Sequence, residues 1–325
     1  MRLGYGTYVT SPQLLDAEVD AVADAGFDAV LFSEHHGMRG YVPDPLAAAT
    51  YVLGRRPELR SGPVPMVLPL HDPVHVAEAA ALADALSGGR LMFGVAAGFL
   101  ARDFEQRGLD VADRAGLLEE ATVIVRRIWA GELDPFAGEY FSVPALEPLA
   151  QPPAQSGGPP VWMASGTPGG IRRAARIADG IVIDSVRASS NVVDLAESFR
   201  HARLEAGMAP GTVAVMRRGW IGPEDEVGNF VANLQRELSG FATRSAGQSM
   251  PWLDEPGRVV SVAEVRDRVV AGTPEDVSDQ LRSLAAEAGV DYVIVKVQWT
   301  SGIDPDVLRE QIRRWAPVCA EFQVN

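Results

Sequence analysis

Residues 29–38 read AVLFSEHHGM. Val30, Leu31 and Phe32 form an apolar run without polar alternation, the pattern of a strand buried on both faces. Ser33, Glu34, His35, His36 and Gly37 follow at once, so the strand ends in a carboxylate and two imidazoles. In folds built from parallel strands and covering helices, the C-terminal ends of the strands are where chemistry collects.

The same unit recurs along the chain. Strand-like runs fall at Leu3–Tyr8, Ala29–Ser33, Val64–Leu68, Leu91–Ala96, Pro160–Ala164, Gly180–Asp184, Val213–Trp220 and Tyr292–Trp299. Helical windows lie between them, at Leu14–Ala25, Val74–Leu86, Leu117–Trp129, Gly170–Ala178, Val192–Ala206, Pro274–Ala288 and Pro305–Cys319. Apolar strands alternating with helices predict an α/β fold, a (β/α)8 TIM barrel with insertions in the βα loops. A doubly wound sheet fits less well, because no strand opens into G-x-G-x-x-G; Gly94 and Gly98 have the wrong spacing. Two segments break the repeat: the Gly/Pro-rich residues 131–160, and residues 221–272 with a helical window near Val227–Leu238. Both are expected to be insertions or lids on one barrel domain spanning 1–325.

Bulk properties exclude several function classes. The chain has 325 residues and a net charge of −14, which argues against nucleic acid and against an anionic membrane surface. Its one cysteine, Cys319, rules out an intrachain disulfide and any thiolate metal cluster, and its apolar neighbours predict a buried, inert thiol. No apolar run approaches the roughly 20 residues of a membrane span, and the N-terminus has no apolar signal core, so a cytoplasmic protein is expected.

If the barrel reading holds, several strand ends meet at one mouth. These are Glu34-His35-His36, Pro69-Leu70-His71, Ala96-Ala97-Gly98-Phe99, Ser165-Gly166-Thr167 and Trp299-Thr300-Ser301. The run Ser165-Gly166-Thr167-Pro168-Gly169-Gly170 ends a strand and opens a helix. It offers hydroxyls and close-approach backbone N–H groups to an anion such as a phosphate, with Arg172 and Arg173 in the first turn. A plain capped turn with solvated arginines is the alternative. For the histidine pair, a metal site lacks ligands: neighbouring residues at a strand end point apart, and Pro73 separates His71 from His75. No metal is expected, and His36 could simply hydrogen-bond under the loop. Neither a G-x-S-x-G elbow nor a suggestive carboxylate pair supports a hydrolase.

Read together, Ser33-Glu34-His35-His36, Leu68-Pro69-Leu70-His71-Asp72-Pro73-Val74, Ala77-Glu78 and Leu86-Ser87-Gly88-Gly89-Arg90-Leu91-Met92-Phe93-Gly94-Val95 resemble the bacterial luciferase-like flavin-dependent monooxygenase superfamily. Pro160-Val161-Trp162-Met163-Ala164-Ser165, Ala178-Asp179-Gly180 and Gly272-Thr273-Pro274-Glu275 agree with it. The resemblance implies a TIM barrel with reduced FMN, or the deazaflavin coenzyme F-420, in its mouth. It implies catalysis by His35 beside the flavin, for which Glu34 is expected to set the orientation or tautomer. Cofactor contacts are expected from Val64, Pro65, Ala96, Gly98, Ser165, Gly166, Thr167, Gly169 and Gly170, and substrate or lid contacts from His36, Phe99, Trp220 and Trp299. Where the luciferase α subunit carries a cysteine and an arginine after its fourth strand, this chain has Ala96 and Ala97, so Arg172 or Arg173 would have to replace that cation. The family's cis peptide under the flavin falls on Val64–Pro65. The implied activity is a monooxygenase acting on a small organic substrate, a homodimer supplied with FMNH2 by a separate flavin reductase. Two alternatives stand beside it: an F-420-dependent oxidoreductase on the same barrel, and a flavin-binding protein without catalysis, which the two alanines would suit.

Overall fold

The computed structural model describes residues 1–8, 12–37, 41–244, 260–298 and 302–323. Its strands are β1 (Arg2–Thr7), β2 (Ala29–Phe32), β3 (Arg60–Pro63), β4 (Phe93–Ala96), β5 (Phe136–Ala137), β6 (Ser142–Val143), β7 (Val161–Ala164), β8 (Gly180–Ile183), β9 (Thr212–Ile221), β10 (Val269–Gly272) and β11 (Tyr292–Lys296). Eight parallel strands run in the order β3-β2-β1-β11-β9-β8-β7-β4. Parallel bridges Ser61–Leu91 and Met66–Val95 span the remaining gap between β3 and β4, so the sheet curls into a nearly closed barrel. Helices alternate with the strands and cover the outside, as the apolar strand runs require.

Local chemistry starts the helices. Asp44, Asp72, Thr167, Thr273 and Asp304 each cap the helix that follows with their own side chain, and each precedes a proline. The cap satisfies free N–H groups of the first turn, and proline there lacks an N–H to satisfy. The Ser-Gly-Gly-Arg block ends the helix Pro73–Ser87 on Gly88, which is left-handed at φ 68°. Arg90 then donates to the carbonyls of Leu53 (2.8 Å) and Arg56 (3.2 Å), tying the next βα unit to the end of the helix Pro45–Arg55.

Inside the barrel, Ala29, Leu31, Val64, Met92, Val182, Ala214, Met216, Tyr292 and Ile294 form an apolar plug. Side chains alternate along a strand, so the inward series Tyr292, Ile294 on β11 continues to Lys296, and Ala214, Met216 on β9 continues to Arg218. Lys296 and Arg218 are register partners, and both are buried. The plug thus closes the barrel from below and puts two cations on its upper rim.

One expectation is corrected. The third strand is Arg60–Pro63 rather than Val64–Leu68. Its polar start hides it, and the chain changes partner after the cis Val64–Pro65 peptide: Val64 N–H bonds Phe32 on β2, whereas Met66 N–H bonds Gly94 on β4. Residues 131–160 connect a helix to β7 and hold the β5–β6 hairpin; Tyr140 and Phe141 donate their N–H groups to Glu120 (3.0 and 2.9 Å) and pack with Val67, Leu70, Phe104 and Leu117 on the C-terminal side of β3 and β4. Residues 221–272 do follow a strand, and they add a helix (Glu224–Arg244) and a short strand, β10, which pairs in parallel with the end of β9. Cys319 is buried, and burial pushes its thiol far above the ordinary range. No helix among the described residues is long and apolar enough to cross a membrane.

Candidate active site

A cavity of about 520 Å³ opens over the C-terminal ends of the barrel strands, within the range of ligand pockets. Glu34, His35, Pro65, Ala96, Gly98, Phe99, Ser165, Gly166, Thr167 and Gly170 all line it. Val64 is buried in the plug beneath. Gly169 is exposed at the helix start, outside the cavity wall. His36 also stays out of the wall. Trp220 lies elsewhere, stacked on Phe230 (5.3 Å between centroids) in a cluster under the helix Glu224–Arg244. An aromatic at the end of β9 reads like a ligand contact, but Trp220 stands above the cavity and packs with Val227, Phe230 and Val231 of the covering helix. Trp299, and the Trp252 region of the insertion, fall outside the described residues.

Glu34 does not reach His35. Its carboxylate accepts hydrogen bonds from Val67 N–H (2.7 Å), His36 Nε2 (2.7 Å) and His71 Nε2 (2.9 and 3.0 Å). A carboxylate only accepts, so both imidazoles carry their proton on Nε2. The free Nδ1 of His36 can then accept from Arg107 Nη2 at 3.3 Å. The expectation that Glu34 orients His35 therefore fails: Glu34 anchors the floor segment after β3 and holds the two histidines that flank the site. Among the described residues no group is arranged to ligate a metal ion.

His35 instead faces the cavity between two aromatic edges. Its ring packs edge-to-face on Tyr41 (4.2 Å) and on Phe99 (5.8 Å); among the described residues its backbone N–H bonds Val42 O (3.3 Å) and its side chain makes no hydrogen bond. Burial, followed by the positive charges of Lys296, His36 and Arg102, lowers its pKa to about 3. The imidazole is accordingly neutral at physiological pH, with one N–H and one lone pair to offer.

At the opposite wall, Thr167 caps the helix Pro168–Ile177 by accepting from Gly170 N–H (3.2 Å). Gly170 allows Ser165 to lie across the turn: a Cβ there would stand 2.0 Å from Ser165 Oγ. Arg173 reaches the cavity and Arg172 does not. A second cation was not anticipated: Arg187, from the loop after β8, lines the cavity and donates to Gly166 O (3.1 Å). The signal for it was its place just beyond a strand end. Hydroxyls, a helix N-terminus and two guanidiniums at one end, and Pro65, Ala96, Ala97 and Met163 along the wall, fit the phosphate and the ring of a flavin.

The third side of the cavity holds Tyr8, Tyr41, Arg218 and Lys296. Both cations sit over the Tyr8 ring, Lys296 Nζ at 4.9 Å and Arg218 Cζ at 5.2 Å from its centroid. Arg218 is paired with Glu237 (2.9 Å), from the helix Glu224–Arg244 that covers the mouth. On the outer side of β1, buried Glu18 accepts from Thr7 Oγ1 (2.7 Å) and from Gln298 Nε2. Burial, partly offset by these donors and Tyr5, raises its pKa to about 7.

The sequence model described as luciferase-like monooxygenase matches residues 4–292. The flavin-dependent trigonelline monooxygenase oxygenase component of Acinetobacter baylyi is 29% identical over 165 residues, 49% of this chain and 45% of that protein. The F420-dependent glucose-6-phosphate dehydrogenase of Rhodococcus erythropolis is 31% identical over 169 residues, 49% of each. Among solved structures, the oxygenating constituent of 3,6-diketocamphane monooxygenase from Pseudomonas putida, in complex with FMN, superposes with a TM-score of 0.78 over the whole of both chains. At 17% identity that likeness concerns the fold alone.

Proposed function

Because the chain belongs to the luciferase-like monooxygenase family, we propose that it is a monooxygenase that uses reduced FMN and O2 to oxygenate a small organic substrate, with the reduced flavin delivered by a separate reductase. The observation that carries this reading is the joining, in one cavity, of an anion-binding turn to a neutral imidazole set in an aromatic wall. Ser165, Thr167, Gly170, Arg173 and Arg187 would hold the FMN phosphate, and Pro65, Ala96 and Ala97 would bound the ring. Reduced FMN, when bound, supplies the electrons that activate O2.

The protein's part is to keep water out and to place one proton. Met163, Ala164, Val182 and Phe99 offer an apolar lining, and Glu237 and Leu238 bring the covering helix to the mouth; a dry site strengthens every polar interaction inside it. His35, neutral and held by Tyr41 and Phe99, can relay a proton, accepting one at one ring nitrogen as it gives one up from the other, so that no net charge stays in the chamber. The oxygenase-component relative supports a two-protein system, whereas the F420-dependent relative supports the deazaflavin alternative. Titrating the apo-protein with reduced FMN and with reduced F-420 tests the choice. Tighter binding of FMN is expected, and binding of F-420 alone would overturn it.

A further inference from the structure

Lys296 lines the mouth, and the proposed function gives it no work. It is 5% exposed, at the inner rim of β11, and its stem crosses β1 where only glycine fits: a Cβ on Gly6 would stand 2.7 Å from Lys296 Cε. The ammonium has three donors. Nζ donates to Ser33 Oγ (3.1 Å), which itself donates to Val64 O (3.0 Å), and rests over the Tyr8 ring. Among the described residues it forms no ion pair. The carboxylates that reach the cavity are committed elsewhere: Glu34 to His36 and His71, Glu237 to Arg218, Asp103 to Arg102, and Asp184 to Ser185 and the Val186 N–H.

A buried ammonium with unused donors costs free energy unless something accepts them. This one points into the chamber, on the far side from the phosphate turn, and close enough to His35 to depress its basicity. Two aromatic rings connect them: Lys296 rests over Tyr8, and Tyr41 packs edge-to-face on both Tyr8 (4.8 Å) and His35 (4.2 Å).

We propose that Lys296 is the substrate anchor and that the substrate is a small organic acid, its carboxylate on Lys296 Nζ and its apolar body extending toward His35. The proposal rests on the cavity being the reaction chamber described above. It also separates the two anion sites of the mouth: the turn at Ser165–Gly170 with Arg187 serves the cofactor, and Lys296 serves the substrate.

Calorimetric titration of the full chain with acetate, hexanoate, benzoate and 3-phenylpropionate, each against its matched amide, tests it. At least one carboxylate should bind about 10- to 100-fold more tightly than its amide, the scale of a lost charge-assisted hydrogen bond. Lys296→Met should abolish that preference and Arg187→Ala should keep it, while Lys296→Met leaves FMN affinity unchanged. The proposal is overturned if no carboxylate outbinds its amide in the wild-type protein, which needs no variant to fold. It is equally overturned if Lys296→Met weakens reduced FMN instead, because the lysine then serves the cofactor. Failure of FMN to bind at all would sink the proposed function, yet the carboxylate preference would still be read in the same samples.

Discussion

Glu34 and His71, thirty-seven residues apart, meet through both carboxylate oxygens at 2.9 and 3.0 Å. The pair ties the end of β2 to the segment after β3 and makes the cavity floor one piece with the strand that carries His35. Glu34→Gln would replace one accepting oxygen by an NH2 group facing a donor, whichever way the amide is turned. The expected cost is about 1–3 kcal/mol, the penalty for an unsatisfied buried group. A lowered midpoint of urea unfolding checks it, and an unchanged midpoint would contradict the anchoring role.

His35 should stay neutral across the physiological range, because burial and Lys296 hold its pKa near 3. Nitrogen-15 imidazole NMR between about pH 8 and pH 5 should show no titration of this ring, whereas a free histidine would pass its midpoint near 6.5. His35→Ala should leave FMN affinity within a few-fold and lower turnover by about 10²–10⁴, the usual range for a general acid–base group.

Gly170→Ala tests the phosphate turn. Its methyl group would stand 2.0 Å from Ser165 Oγ, so the hydroxyl must leave the turn. FMN affinity, read from flavin fluorescence, should fall about tenfold or more, the loss expected for one or more hydrogen bonds to a charged group. Unchanged affinity would move the phosphate elsewhere.

Glu18 gives the fold a pH dependence. Its pKa is raised by burial from 4.5 to about 7, so the folded state holds a proton that the unfolded chain releases. That contribution is present in full below about pH 4.5 and is lost as the pH rises through about 7, on the order of 3 kcal/mol in all. Measured against Glu18→Gln, the wild-type protein should lose ground between about pH 5 and pH 8. A constant difference between the two would contradict the raised pKa.

Much of the barrel was legible because its strands are continuous apolar runs that alternate with helical windows. The Glu34-His35-His36 strand end was legible for the same reason, since polar residues closing an apolar strand mark the mouth. Division of labour inside that triplet was not. Which side chain meets which depends on the partner His71, brought in from another strand. Arg60-Ser61-Gly62-Pro63 hid the third strand because its composition is polar and its order comes from pairing with β2. Lys296 sat within a predicted strand. Alternation with Tyr292 and Ile294 would have turned it inward, but nothing local says that no carboxylate waits for it there.

The central claim is tested most directly by binding reduced FMN to the apo-protein under anaerobic conditions and mixing the complex with O2 in a stopped-flow spectrometer. Stoichiometric binding, oxygen consumption equal to the flavin oxidised, and slower release of hydrogen peroxide than from free reduced FMN are predicted. A protein that does not bind reduced FMN, or whose bound flavin is not oxidised by O2, would contradict the account.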